Sequence, residues 1–376
     1  MRLVKPRVLF MSAPIGAGHF KAAQSVSQLL RLHHSCHTEL CSIFDFCHPF
    51  IGRTVLKGYL QILATFPQAY GAMYGWGNQS RLALLGRELV SQLFARRMVA
   101  YIKQFQPSVI VCTHATPAGL VAWLKKKGLI TVPAAAIITD FVAHRLWVYP
   151  EFEHYFVAHP AMADYLSQQG ILPQSIVVTG IPVSECFSQP GNKEQILAEL
   201  KLSPGRKTIL IMGGGAGVLP MAEILAVCDQ LDRPVQIIAV AGKNQLLYRR
   251  LAQMQATSRQ PVRVFGFVDN VHELMRAADV LISKPGGMSS AEALTMGVPL
   301  VIYRPIPGQE EANTRYLLNH RAALRADSLT ALATILTRLF TTDDDFITLR
   351  RRAVLLGRPY AAKNIADFIA ECHLKG

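Results

Sequence analysis

The run SKPGGMSSAEALTMGVPLVIYRPIPGQEEAN, Ser283 to Asn313, decides how the rest of the chain is read. It follows an apolar strand-like run, Val280-Leu281-Ile282, and opens with Ser283-Lys284-Pro285-Gly286-Gly287. From Ser289 to Met296 the helix formers Ala291, Glu292, Ala293 and Leu294 predict a helix. Val298 to Tyr303 is apolar again and predicts a second strand, which runs into a Pro-rich loop and Gln309-Glu310-Glu311. A strand that feeds a Gly-Gly turn and then a helix is a ready anion site, because free N–H groups and the positive end of the helix dipole meet at the turn. Two glycines let a phosphate approach the backbone closely. Glu292, one turn past them, is placed to accept hydrogen bonds from a ribose. Strand–Gly–Gly–helix is also an ordinary connector in α/β proteins, so the weight rests on the whole 31-residue constellation.

That constellation, PGG-x4-EA-x3-G-x-P followed by PGQE, resembles the nucleotide-sugar half of a glycosyltransferase family. The family includes MurG, the plant monogalactosyldiacylglycerol synthases and the bacterial diacylglycerol glucosyltransferases. The ending PxPGQE-x2-N is most similar to the glycolipid branch. The resemblance implies an α/β chain of the GT-B class: two Rossmann-like, doubly wound domains, an interdomain cleft and a C-terminal helix crossing back. It places an acceptor- and membrane-binding domain over residues 1–185 and a nucleotide-sugar domain over 186–360. Residues 361–376 form the returning helix.

Bulk properties fit that organisation. The 376 residues are enough for two domains of ordinary size, and 51% hydrophobic with 17% charged residues is a globular composition. Mean hydropathy is high at +0.24, yet no apolar run reaches the 18 or so residues a bilayer span needs. The basic start, Met1 to Phe10, has a short apolar run leading into a glycine loop and reads as a first strand, not a signal peptide. A net charge of +14 calls for an anionic partner: nucleic acid, a membrane surface or a phosphorylated substrate. No nucleic-acid-binding motif accompanies it. Seven cysteines at irregular spacing, with no CxxC, fit reduced thiols in a cytoplasmic protein.

Arg7 to Ser12 predicts a parallel core strand, and Ala13 to His19 the loop after it, with a helix from Phe20 to Leu32 carrying Ala22, Ala23, Val26, Leu29 and Leu30 on one side. Sites form at the C-terminal ends of such strands. Gly16-Ala17-Gly18-His19 with Ala22-Ala23 is similar to the glycine-histidine loop of the glycolipid branch, with Ala17 where the family often has a third glycine. His33, His34, Cys36, His37, Cys41, Cys47 and His48 are crowded, but their spacing fits no zinc motif, and Thr38 to Phe46 alternates like a second strand.

Between Phe50 and Phe105 the lone acid Glu88 faces Arg53, Lys57, Arg81, Arg87, Arg96, Arg97 and Lys103, interleaved with Tyr59, Phe66, Tyr70, Tyr74, Trp76 and Tyr101. Rings and cations together suit a lipid interface; two ordinary amphipathic helices around a Gly-rich loop are the plainer alternative. The glycolipid enzymes carry an acceptor-binding, membrane-docking segment at this place. Strand-like PSVIVCTH and PAAAIITD end in His114 and Asp140, and Asp140 to Trp147 is similar to the family's TDF-x2-H-x2-W segment, with His144 and Trp147. Thr179 to Val183 resembles its crossing into the second domain. There Lys207 to Met212 predicts a strand before Gly213-Gly214-Gly215-Ala216-Gly217, and Gly266-Phe267-Val268 precedes a helix over Val271 to Ala277. Arg350-Arg351-Arg352 reads as a solvated helix face, with lipid contact as the lesser alternative.

The resemblance implies an inverting hexosyltransferase moving sugar from UDP-glucose or UDP-galactose to diacylglycerol or a related lipid, at the cytoplasmic face of a membrane and with no cofactor or metal. His19 is the first choice for the base and Asp140 the second, as base or as the partner orienting a histidine; His19 positioning the sugar or a phosphate stays open. The donor set is Gly18, Gly213, Gly214, Phe267, Val268, Gly286, Gly287, Ser289, Glu292, Gln309 and Glu310, with Glu311 and Asn313 nearby. The acceptor and membrane set is His114, His144, Trp147, Tyr74, Trp76 and Arg81. Competing readings are MurG-type N-acetylglucosaminyl transfer to a polyprenyl-linked acceptor, a UDP-sugar 2-epimerase and a non-catalytic membrane-surface protein.

Overall fold

The structure, a computed structural model, describes residues 5–14, 17–46, 95–214 and 219–374. The chain divides into two compact units: Met1–Glu185 with Pro307–Gln309 and Pro359–Gly376, and Cys186–Ile306 with Glu310–Arg358.

The first unit is built on six parallel strands: β1 (Arg7–Ser12), β2 (His37–Ser42), β3 (Val109–Cys112), β4 (Ala134–Ile137), β5 (His154–Val157) and β6 (Ile176–Val178), in the order β2-β1-β3-β4-β5-β6. Val8 to Met11, Val109 to Cys112 and Ala134 to Ile137 are wholly buried, as strands covered by helices on both faces must be. The Gly18–His33 helix buries Ala22, Ala23, Val26, Leu29 and Leu30. On it lies the Ala361–His373 helix, which contributes Ala362, Ile365, Ala366, Ile369 and Ala370 to the same core. His34 Nε2 meets Asp367 Oδ1 at 2.8 Å across that helix pair. The second strand is shorter than its alternation suggests. Asp45 Oδ2 accepts the Ser42 N–H at 2.7 Å and turns Ile43–Phe46 into a 3-10 helix.

The second unit repeats the plan with β7 (Lys207–Met212), β8 (Val235–Val240), β9 (Val262–Phe265), β10 (Val280–Ser283), β11 (Leu300–Tyr303) and β12 (Ala323–Ala326), ordered β12-β11-β10-β7-β8-β9. β7 and β10 are paired from Ile209↔Val280 to Met212↔Ser283, and Ser283 Oγ donates to the Met212 carbonyl at 2.9 Å. The Gly287–Met296 helix ends at Gly297, whose φ of 64° is left-handed, with Val298 N–H donating back to Ala293 at 2.9 Å. Gly357 is required by packing: a Cβ there would sit 2.7 Å from the Leu294 carbonyl oxygen.

In each sheet the strand order reverses once, between β1 and β3 and again between β7 and β10. The crevice beyond the C-terminal ends of such a strand pair is where open α/β sheets hold ligands. Among the described residues no helix is long and apolar enough to cross a membrane. Tyr74, Trp76 and Arg81, like Cys47, His48 and most of the aromatic-basic segment, lie outside the described residues.

Candidate active site

The reversal in the first unit gathers histidines. His19 stands in the first turn of its helix, just beyond β1. Its Nδ1 lies 3.0 Å from the Thr113 carbonyl oxygen after β3 and 2.6 Å from Thr139 Oγ1 after β4. A carbonyl only accepts, so Nδ1 carries the proton and Nε2 keeps the lone pair. The His114 ring stands edge-on to that of His19, centroids 4.6 Å apart. His114 caps the Ala115–Lys126 helix, Nδ1 accepting the Thr116 N–H at 3.0 Å, so its proton sits on Nε2.

Electrostatics keep these rings neutral. Burial lowers the pKa of His19, partly offset by the Asp140 carboxylate and the Thr113 carbonyl. Burial, with His19 and His144 nearby, holds His114 well below the ordinary imidazole value. His144 is pushed down to about 4, by burial first and His19 second. Asp140 is buried, and the Gln309 side-chain amide donates to its Oδ2. His144 and Trp147 share the next turn, ring centroids 6.3 Å apart, and Trp147 is 2% exposed.

The reversal in the second unit gathers glycine and backbone instead. Gly213 and Gly214 follow β7, and Gly214 takes a φ of 74° that favours glycine. After β10, Gly286 caps the Gly287–Met296 helix and Gly287 begins it, two residues earlier than propensity suggests. Gly286 has an ordinary φ of −64°, and among the described residues a Cβ added to it would meet no atom within 4 Å. Neither its backbone nor the described residues around it demand glycine there.

Ser289 is half-buried in the first turn, whereas Glu292 is 4% exposed. Lys284 Nζ lies 3.5 Å from Glu310 Oε1, and Glu310 Oε2 accepts the Ile306 N–H at 2.9 Å. Asn313 Nδ2 donates to the Pro285 carbonyl at 3.0 Å, a second tie between the glycine loop and the Gln309–Asn319 helix. Burial lowers the Lys284 pKa and Glu310 opposes the shift. Glu311 instead pairs with Arg325 at 2.6 Å. Phe267 is 50% exposed, with Lys243 Nζ 5.3 Å from its ring centroid, and Val268 beside it is half-buried.

Thr113, Thr139 and Lys284 were not among the site residues picked out from sequence. The threonines are polar residues closing otherwise apolar strand runs, which is the available signal. Among the described residues no three His, Cys, Asp or Glu side chains form a group that could hold a metal ion.

Two family models match the chain: monogalactosyldiacylglycerol (MGDG) synthase over residues 19–183 and the glycosyltransferase family 28 C-terminal domain over residues 208–342. A processive diacylglycerol beta-glucosyltransferase of Bacillus cereus is 30% identical over 373 residues, covering 98% of this chain and 95% of that one. One from Bacillus anthracis is similar to the same extent, 30% over 373 residues. Among solved structures, Acinetobacter baumannii MurG superposes with a TM-score of 0.59 at 18% identity, covering 97% of this chain and 99% of that one. The UDP complex of S. aureus MnaA gives 0.63 at 13% identity, covering 98% and 96%. These likenesses to solved structures carry the fold.

Two doubly wound units of this kind, matched along nearly their whole length, define a UDP-sugar-dependent glycosyltransferase of the GT-B fold. The chain belongs to the family of the monogalactosyldiacylglycerol synthases and processive diacylglycerol beta-glucosyltransferases, the glycolipid branch of the MurG-like enzymes.

Proposed function

We propose that the protein transfers glucose, with inversion, from UDP-glucose to diacylglycerol or a glycosylated diacylglycerol at a membrane surface. The choice of glucose over galactose rests on the full-length match to glucosyltransferases. The second unit holds the donor and the first supplies the base. The observation that carries the reading is Gly286: a glycine that φ and the packing of the described residues leave unexplained, at a helix N-terminus, with the Lys284 ammonium two residues away. That combination suits a diphosphate.

The acceptor oxygen attacks the anomeric carbon as the bond from that carbon to the diphosphate oxygen breaks, and the electron pair leaves on UDP. The acceptor hydroxyl proton goes to His19 Nε2, whose lone pair is secured by donation from Nδ1 to Thr113. Burial keeps His19 neutral near neutral pH, the state a base needs. Asp140 stabilises the imidazolium as it forms. Gly286, Gly287, Ser289 and the helix dipole meet the departing diphosphate, with Gly213 and Gly214 of the same unit lining its approach. Glu292 accepts from the ribose, Phe267 and Val268 meet the uracil, and Gln309 and Glu310 hold sugar hydroxyls. His114, His144 and Trp147 shape the acceptor side, and the aromatic-basic segment with Tyr74, Trp76 and Arg81 meets the bilayer. Such an enzyme works as a peripheral protein on the cytoplasmic face.

The test is a donor-by-acceptor assay with diacylglycerol liposomes, offering UDP-glucose, UDP-galactose and UDP-N-acetylglucosamine in turn. Glucosyl-diacylglycerol from UDP-glucose, abolished in His19→Ala, is the expected result. UDP-sugar turnover without glycolipid would refute the acceptor, and a product from UDP-galactose alone would refute the donor.

A further inference from the structure

The Asp343–Leu356 helix buries Phe346, Leu349 and Ala353 against its own unit. Its opposite side is unusual. Ile347, Val354 and Leu355 are 59%, 57% and 61% exposed, three of the twelve large apolar side chains exposed among the described residues. Arg350, Arg351 and Arg352 are exposed between them, and Arg358 is exposed just past the helix end. At about 100° per residue, Ile347, Arg350, Arg351, Val354 and Leu355 fall on one face. Among the described residues no carboxylate lies within ion-pair distance of these four arginines. The helix's acids sit in its first turn, where Asp345 is taken by Arg338 at 3.1 Å.

We propose that this face is a membrane-docking surface for anionic lipid, formed by a stretch of sequence other than the aromatic-basic segment. Its two halves match the two layers of a bilayer surface: guanidiniums at phosphate depth on stems that extend over apolar neighbours, and Ile347, Val354 and Leu355 at the acyl boundary. A nucleic acid would engage the arginines and leave those three side chains in water. The inference shares with the functional reading the premise that the acceptor resides in a membrane, and it does not depend on which sugar is moved.

Co-sedimentation of the full chain with phosphatidylcholine vesicles, with and without phosphatidylglycerol, and without donor, tests it. Each arginine near an anionic surface contributes roughly fivefold in affinity. Arg350→Glu/Arg351→Glu/Arg352→Glu is therefore expected to lose at least tenfold in binding to the anionic vesicles. Ile347→Ser/Val354→Ser/Leu355→Ser should lose binding by a similar factor. A control of equal charge change on exposed positions elsewhere, Arg233→Glu/Arg249→Glu/Arg259→Glu, is expected to lose less than threefold, and all should retain UDP binding. Equal losses in the control and the helix variant would reduce the effect to net charge and overturn the proposal, as would unchanged binding in both helix variants. Vesicle binding that behaves as expected while no glycolipid forms would sink the functional reading and leave this one standing.

Discussion

The two strand-order reversals are built on the same topology and furnished differently. Beyond β1 and β3 stand His19 and His114, with Thr139 and Asp140 contributed from β4. Beyond β7 and β10 stand Gly213, Gly214, Gly286 and Gly287, with Lys284 the one nearby cation named above. A proton acceptor needs a side chain with a lone pair and a fixed tautomer. A diphosphate needs N–H groups and room for its oxygens. On the proposed reading one fold would meet both demands, because the crevice is set by strand order and the residues that fill it are free to differ.

The sharpest break in this comparison is His19→Ala. It is expected to lower kcat by roughly 100- to 10,000-fold, the usual worth of a general base, and leave the KM for the UDP-sugar within about threefold. A rise in KM with unchanged kcat would move His19 to the binding side of the comparison.

Two glycines of the second unit form the next test, because one is open and the other closed. Gly286→Val meets no described neighbour but replaces a favoured helix cap, so stability should fall by no more than about 1 kcal/mol while UDP-sugar affinity, read by calorimetry, falls about tenfold by steric exclusion. Gly357→Ala drives a methyl against the Leu294 carbonyl, so stability should fall by about 1–3 kcal/mol in denaturant titrations with UDP affinity retained. Lys284→Met sits between them: a loss of about tenfold in kcat/KM, partly restored by Lys284→Arg, is expected from the missing positive charge at the diphosphate.

The smallest effect separates the units by pH. His19, His114 and His144 all titrate below the ordinary imidazole value of 6.5, His144 at about 4. As pH falls below 6.5 the unfolded chain takes up protons that the folded first unit refuses. Stability from these groups is therefore fully present above 6.5 and declines as pH falls below it, the His144 share levelling off below about 4. Hydrogen exchange should show amides of β3 and β4 losing protection between about pH 7 and about pH 5 relative to β7 and β10, with His144→Gln reducing the loss.

Sequence alone went far in the second unit, because the signal there is local. Strand, glycines, helix and strand follow one another within residues 280–303, and the predicted Lys207–Met212 strand and Val271–Ala277 helix match in their bounds. The first unit's site was legible only as separate strand ends. Nothing in sequence says that Thr113 and Thr139 converge on one imidazole nitrogen, since they are 94 and 120 residues from His19. The helix begins at Gly287, two residues before propensity predicts, because propensity disfavours glycine in a helix whereas the first turn tolerates it. The strand through Phe46 was overextended because alternation carries no notice of the Asp45 side chain that ends it.

The Ala361–His373 helix bears on the order in which the two units complete their cores. Residues 1–185 are synthesised before the second unit, yet the face of the Gly18–His33 helix that Ile365 and Ile369 cover stays open until residues 361–373 are made. At 5–20 residues per second that interval lasts roughly 10 to 40 s, time in which the nearly contiguous second unit can close its core. The half synthesised first is then the half whose core is finished last.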